Sequence, residues 1–218
     1  MARPVYLIKS LEASDADGIA EAQAVAAAGN LNMNGSLVQN GVAVLDTGRR
    51  VGITSAGDDS SITFTVYGRN GTGGEISEVV TGANAGVAST QYDFSAVTRI
   101  VASGAAAGNV TVGTTAVGAT PWQLVNYHLA PTNVSIAVVV EGTVDYTVQW
   151  TYDNFIWVPT GGTPDFPAPP VPFDDPILVN ATANGETTIS LPVTGWRIQI
   201  NSGDGSLAIK GIQAGISN

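Results

Sequence analysis

The chain has no cysteine, so disulfides and thiolate metal sites are excluded at the outset. It is also short of charge. Asp, Glu, Lys and Arg make up 12% of residues, and 18 acidic against 8 basic side chains give a net charge of -10. Nucleic-acid binders draw their affinity from neutralising phosphates, so this balance argues against a nucleic-acid partner, and an anionic membrane surface repels the chain for the same reason. Histidine occurs once, at His128. No apolar run approaches the length of a membrane span; the longest, IAVVV at 136–140, is the size of a strand. The opening MARPVYLIKSLEASD lacks the charged and apolar segments and the cleavage site of a secretory signal. The expectation is a protein made and folded in a cytoplasm.

What the chain does have is small and β-branched residues: Ala, Val, Gly and Thr are abundant, and the hydrophobic share is 44%. Such a composition favours sheets over helical bundles, and 218 residues suffice for one large β-domain or two small ones. One phrase recurs at 49–68 (RRVGITSAGDDSSITFTVYG), 98–117 (TRIVASGAAAGNVTVGTTAV) and 196–215 (WRIQINSGDGSLAIKGIQAG). Each carries an Arg near its start (Arg50, Arg99, Arg197), alternates β-branched residues, breaks at a small-residue turn and alternates again. Val51, Ile53, Ile100, Ile198 and Ile200 fall on one face before the turns, and Ile62, Phe64, Val66, Val110, Val112, Leu207 and Ile209 do so after them. The spacing predicts three sister β-hairpins.

In chain order, residues 1–30 read as an N-terminal arm with an apolar stretch from Val5 to Ile8. Residues 14–28 fit either a capped helix or alternating strands. Residues 31–158 read as an antiparallel β-sandwich or jelly-roll-like body built of hairpins, the strongest at NVSIAVVVEGTVDYTVQWTYD with its turn at Glu141-Gly142. Residues 159–176 hold seven prolines and read as an extended connection outside the sheet, lying on a surface through Phe166 and Phe173. Residues 177–218 add hairpins that pack on the sandwich or form a small second lobe. The fold class expected is all-β.

A catalytic constellation is not legible. His128 has no carboxylate and nucleophile grouped beside it in the sequence, and no Gly-x-Ser-x-Gly elbow occurs. The carboxylates Asp58-Asp59, Asp174-Asp175 and Asp204 occupy turns, where solubility and turn chemistry account for them. Asp15-x-Asp17-Gly18 opens like a calcium loop, but Glu21 is too close to supply the closing bidentate carboxylate. GRNGTGG lacks the lysine and helix of a phosphate-binding loop and reads as a turn between strands. Trp122, Trp150, Trp157 and Trp196 could stack on a sugar, although Trp150 alternates with Val148 and Tyr146 and so reads as core or interface. No catalytic, cofactor-binding or metal-binding residue is assigned, and no cofactor or enzymatic activity is expected.

The phrases LDTGRRVGITSAGDDSSITFTVYGRNGTGGEISEVVTGANAG, DFSAVTRIVASGAAAGNVTVGT, VEGTVDYTVQWTYD and GWRIQINSGDGSLAIKGIQAG resemble a family of structural proteins of tailed-bacteriophage virions, over about 14–158 and 176–218. The resemblance implies a non-enzymatic subunit assembled in the host bacterial cytoplasm and located in the virion. A head decoration (cement) protein on the capsid exterior is the expected function, with a tail component (tube, adaptor or tail tip) and a carbohydrate-binding or adhesin module as alternatives. The expected partners are other copies of the chain in a homo-oligomer, with a trimer as the expected form, and the major capsid protein or tail proteins.

Overall fold

The computed structural model describes residues 3–10, 12–126, 129–153 and 170–217. These contain strands, turns and no helix, and the strands pair antiparallel. The chain is all-β. In order it forms β1 (Arg3–Ser10), β2 (Ala20–Ala24), β3 (Gly29–Asn30), β4 (Val38–Gln39), β5 (Val42–Ser55), β6 (Thr63–Arg69), β7 (Glu75–Thr81), β8 (Val87–Ser89), β9 (Phe94–Ala102) and β10 (Asn109–Ala119). There follow β11 (Gln123–Leu124), β12 (Leu129–Glu141), β13 (Val144–Thr151), β14 (Phe173–Asp174), β15 (Gly185–Ile189), β16 (Gly195–Gly203) and β17 (Ser206–Ser217). Two compact units result: one is Ser14–Gly118, and the other combines β1 with residues 119–153 and 170–217.

In Ser14–Gly118 the strand order is β10-β5-β9-β6-β7, with β2 on β10, β3 on β9, and β4 and β8 on β5. Alternation decides what is buried. Ala43, Leu45, Val51 and Ile53 of β5, Phe64 and Val66 of β6, Ile76 and Val80 of β7, and Val97 and Ile100 of β9 all enter one core. On β7 Val80 faces in and Val79 faces out. The segment left open between helix and strand is strand: Ala20–Ala24 lies along β10, and the Gln23 side-chain amide clamps Asn32, donating to its carbonyl at 2.8 Å and accepting its N–H at 2.9 Å. Here β10 offers backbone partners, which an alanine-rich helix would forgo. Two hairpins close this unit locally. Asn40 and Gly41, at φ 52 and 81, turn β4 into β5 in the left-handed pair that suits a two-residue loop, and residues 70–74 turn β6 into β7.

The three repeated phrases are not hairpins. β5 and β6 both pair with β9, which lies between them. β9 and β10 are separated by β5. β16 and β17 belong to different sheets, and so do β12 and β13, which flank the Glu141-Gly142 turn. Alternation reports which face of a strand is buried; hydrogen-bond partners lie in the perpendicular direction, and alternation is silent about them.

The other unit is a β-sandwich. Its sheets are β1-β17-β12-β15 and β14-β13-β16, with β11 paired to β16. Val134, Ile136 and Val138 from β12 and Leu207 and Ile209 from β17 face Tyr146, Val148, Trp196, Ile198 and Ile200 from β13 and β16. Residues 1–30 hold β1, β2 and β3, each paired within the chain, and β1 is an edge strand of the four-stranded sheet. Within 159–176, Phe173–Asp174 departs from the expectation of a connection outside the sheet: it pairs with Gln149 and Trp150 as a short edge strand, a position compatible with its flanking prolines. The rest of that stretch up to 169 lies outside the described residues.

Two chain crossings between the sheets stack at one end of the sandwich. Thr143 accepts the N–H groups of Asp204 and Gly205, both at 3.1 Å, while Glu141 pairs with Ser206 in one sheet and Val144 with Gly203 in the other. A Cβ on Gly203 would lie 2.1 Å from the Thr143 carbonyl oxygen, and Gly203 sits at φ 109. Gly203→Ala is expected to cost about 1–3 kcal/mol. Gly73→Ala, also at positive φ but with nothing within 4 Å of the added Cβ, is expected to cost less. Urea-unfolding midpoints of the two variants check this order.

Tyr146 is fully buried, and its hydroxyl donates to the Ala183 carbonyl at 3.0 Å. Burial raises its phenol pKa above the ordinary value. Above about pH 10 the unfolded chain releases this proton while the folded chain keeps it, so stability falls as pH rises. Tyr146→Phe is expected to lose less stability than the parent between about pH 8 and pH 10.5 in the same unfolding measurement.

Candidate interaction surfaces

The acidic turns are occupied by the fold's own backbone. Asp175, 3% exposed, accepts the Ile177 and Leu178 N–H groups on Oδ1 (2.8 and 2.9 Å) and the Thr187 hydroxyl on Oδ2 (2.9 Å). This fixes residues 175–178 along β13, where the Leu178 carbonyl takes the Val148 N–H. Asp174 accepts the Gln149 side-chain amide at 2.7 Å. Asp59 is buried and accepts the Ala107 N–H at 2.7 Å, tying two loops together. Asp58 accepts the N–H and hydroxyl of Ser60, which hold its pKa below the ordinary value.

The calcium-like opening resolves the same way. Asp15 accepts the Ser36 hydroxyl at 2.7 Å and the Asp17 N–H at 3.3 Å, and the Ser36 bond is the main cause of its lowered pKa. Glu21 bonds Asn34. Asp204 sits in the stacked crossing, bonded through its backbone to Thr143. Among the described residues no three of His, Cys, Asp and Glu converge on a point that could hold a metal ion. GRNGTGG is a turn between strands, with Asn70 Oδ1 accepting from the Thr72 N–H, the Thr72 hydroxyl and the Gly74 N–H.

The aromatics divide by burial. Trp196 is inside the sandwich and occupies the space a side chain at Gly211 would need, with a Cβ there only 2.5 Å from its ring. The Arg197 guanidinium lies 4.8 Å from the centre of the Trp122 ring. Trp150 is half-buried against the core. These three do not form a common open platform. His128, Trp157 and Phe166 lie outside the described residues. Arg99 covers Tyr67 at 4.1 Å.

The most buried arginine is one the sequence did not single out. Arg49 is 1% exposed and makes a two-pronged ion pair with Asp46, Nε to Oδ1 at 2.8 Å and Nη2 to Oδ2 at 2.6 Å. Residues three apart on a regular strand point to opposite faces, and the register shift of β5 against β9 between Val44 and Arg49 is what lets these two meet.

Two exposed apolar surfaces remain on the sandwich unit. One runs beside β13: Tyr152, Val171, Phe173, Ile177 and Val179 are all exposed, and Tyr152 meets Phe173 edge to face with ring centres 5.5 Å apart. The other is the outer face of the four-stranded sheet, where Tyr6, Ile8, Val139 and Ile212 face away from the core. In Ser14–Gly118 the exposed large apolar residues, Val44, Val79 and Val87, sit on three different strands. Contiguous apolar patches on an otherwise polar surface mark contact sites, whereas single exposed residues need no explanation.

A scan against protein-family models gives no match, and neither does a search of curated proteins.

Asp175→Ala removes the acceptor for two backbone donors and a buried hydroxyl, so a loss of about 2–4 kcal/mol is expected. Asp174→Ala, which frees only one side-chain amide, is expected to lose about 1 kcal/mol or less. Chemical unfolding of both variants checks the difference.

Proposed function

We propose that the chain is a non-enzymatic structural subunit of a tailed-bacteriophage virion, a head decoration (cement) protein that binds the exterior of the capsid and bridges neighbouring copies of the major capsid protein. The observation that carries this reading is the apolar flank beside β13. Val171, Phe173, Ile177 and Val179 are exposed on a segment that Asp175 anchors from within, with Tyr152 against Phe173, so the flank is held in shape before any partner arrives. A preorganised surface loses little entropy on binding, which suits a protein whose work is contact.

Three further features support it. The repeated phrases and their order resemble virion structural proteins. The net charge of -10 suits an outer surface better than one lining packaged DNA. The proline-rich stretch 159–176 contributes Val171 and Phe173 to the flank, and a proline-rich segment orders at lower entropic cost than a flexible one. Copies of the chain associate with one another in this reading, as subunits repeated over a shell do.

A tail component is the second reading, favoured by the edges of β1 and β7, which have no second partner strand among the described residues, since unpaired strand edges can join subunits into rings and tubes. Gold-labelled antibody against the protein on intact virions tests both. Signal over the whole head is expected, and signal confined to the tail overturns decoration in favour of the tail. Phe173→Asp is expected to abolish binding to capsids lacking the protein while leaving its unfolding free energy within about 0.5 kcal/mol of the parent.

A further inference from the structure

The outer face of the β1-β17-β12-β15 sheet carries a pattern of its own. One row crosses all four strands: Tyr6 on β1, Lys210 on β17, Ala137 on β12 and Glu186 on β15. Around it Ile8, Val139 and Ile212 are exposed at 61%, 45% and 50%. Apart from Glu141 at the chain crossing, Lys210 and Glu186 are the charged residues described on this face, one of each sign, in a chain of net charge -10. Lys210 leans towards Tyr6, its Nζ 5.8 Å from the ring centre. Neither Lys210 nor Glu186 has an ion-pair partner among the described residues.

Strands lie about 4.8 Å apart, so two strand spacings put the Lys210 and Glu186 backbones about 10 Å apart, and no ion pair joins their side chains. Between them sits Ala137, the smallest side chain of the row. We propose that two copies of the chain associate face to face through this sheet about a two-fold axis, Lys210 of each copy pairing with Glu186 of the other over the two Ala137 residues. In an isologous contact every interaction occurs twice, so a single cation and a single anion on one face make two reciprocal pairs. Two chains of like net charge repel at long range, and a face whose central row carries one cation and one anion is where that repulsion is small. The contact covers Ile212 and Val139, which are otherwise left in water. A two-fold contact makes dimers, or pairs within a larger assembly, in place of the expected trimer.

This inference rests on the self-association part of the proposed function, and sedimentation velocity of the full chain separates the two. The parent is expected to sediment as a dimer or a multiple of two. Lys210→Glu and Glu186→Lys are each expected to raise the dissociation constant at least about tenfold, because each places like charges opposite one another. The double variant Lys210→Glu/Glu186→Lys restores opposite signs and is expected to return within about threefold of the parent. Far-UV circular dichroism of the three variants is expected to match the parent. A parent that stays monomeric at about 100 μM overturns both self-association and this face. A parent that oligomerises equally well with Lys210→Glu or with Glu186→Lys overturns the face alone.

Discussion

Each strand of the sandwich unit has an apolar side that must be buried, and the chain satisfies this by sending β12 and β13, and again β16 and β17, to opposite sheets. The stacked crossings at Thr143 and Gly203-Asp204-Gly205 are where that requirement is met. A strand that crosses keeps its apolar side towards the same interior, so β12 and β13, then β16 and β17, line one core from both walls. The cost falls on backbone polar groups at the crossing, and the Thr143 carbonyl answers it by accepting two N–H groups. The absence of side chains at Gly203 and Gly205 follows from how closely the two crossings approach.

Sequence reading reached the class of the fold because alternation, turn residues and the lack of helical spacing agree with one another. It reached the burial of Ile53, Phe64, Ile198 and Ile209 for the same reason. It did not reach the pairing. A hairpin and a crossing between sheets can share the same alternation and the same small-residue turn, and they differ only in partners supplied by distant segments: β9 enters between β5 and β6, and β12 pairs with β17. Asn40-Gly41, a residue pair that a two-residue hairpin turn favours, does join neighbouring strands, β4 and β5.

The surfaces were less legible than the core. That Asp174-Asp175 does turn chemistry could be inferred from residue type, but that Asp175 is buried and anchors an exposed apolar flank depends on Thr187, a residue of another strand. The Asp46-Arg49 pair was hidden by its spacing, since three residues along a strand ordinarily separate side chains to opposite faces. The face of β1, β17, β12 and β15 was hidden for a different reason: its row of Tyr6, Lys210, Ala137 and Glu186 gathers residues from four places in the chain.

The pairing of β1 with β17 also sets an order on folding. Arg3 meets Gln213, and β12 meets β17 along most of its length, so the four-stranded sheet has no centre until residues 206–217 exist. Ser14–Gly118, by contrast, is continuous in sequence and has its own core. During synthesis that unit can close while β1 waits with its apolar residues unpaired. Contacts this distant in sequence slow the final step and lengthen the time in which the waiting strand is open to chaperones or to a neighbouring nascent chain.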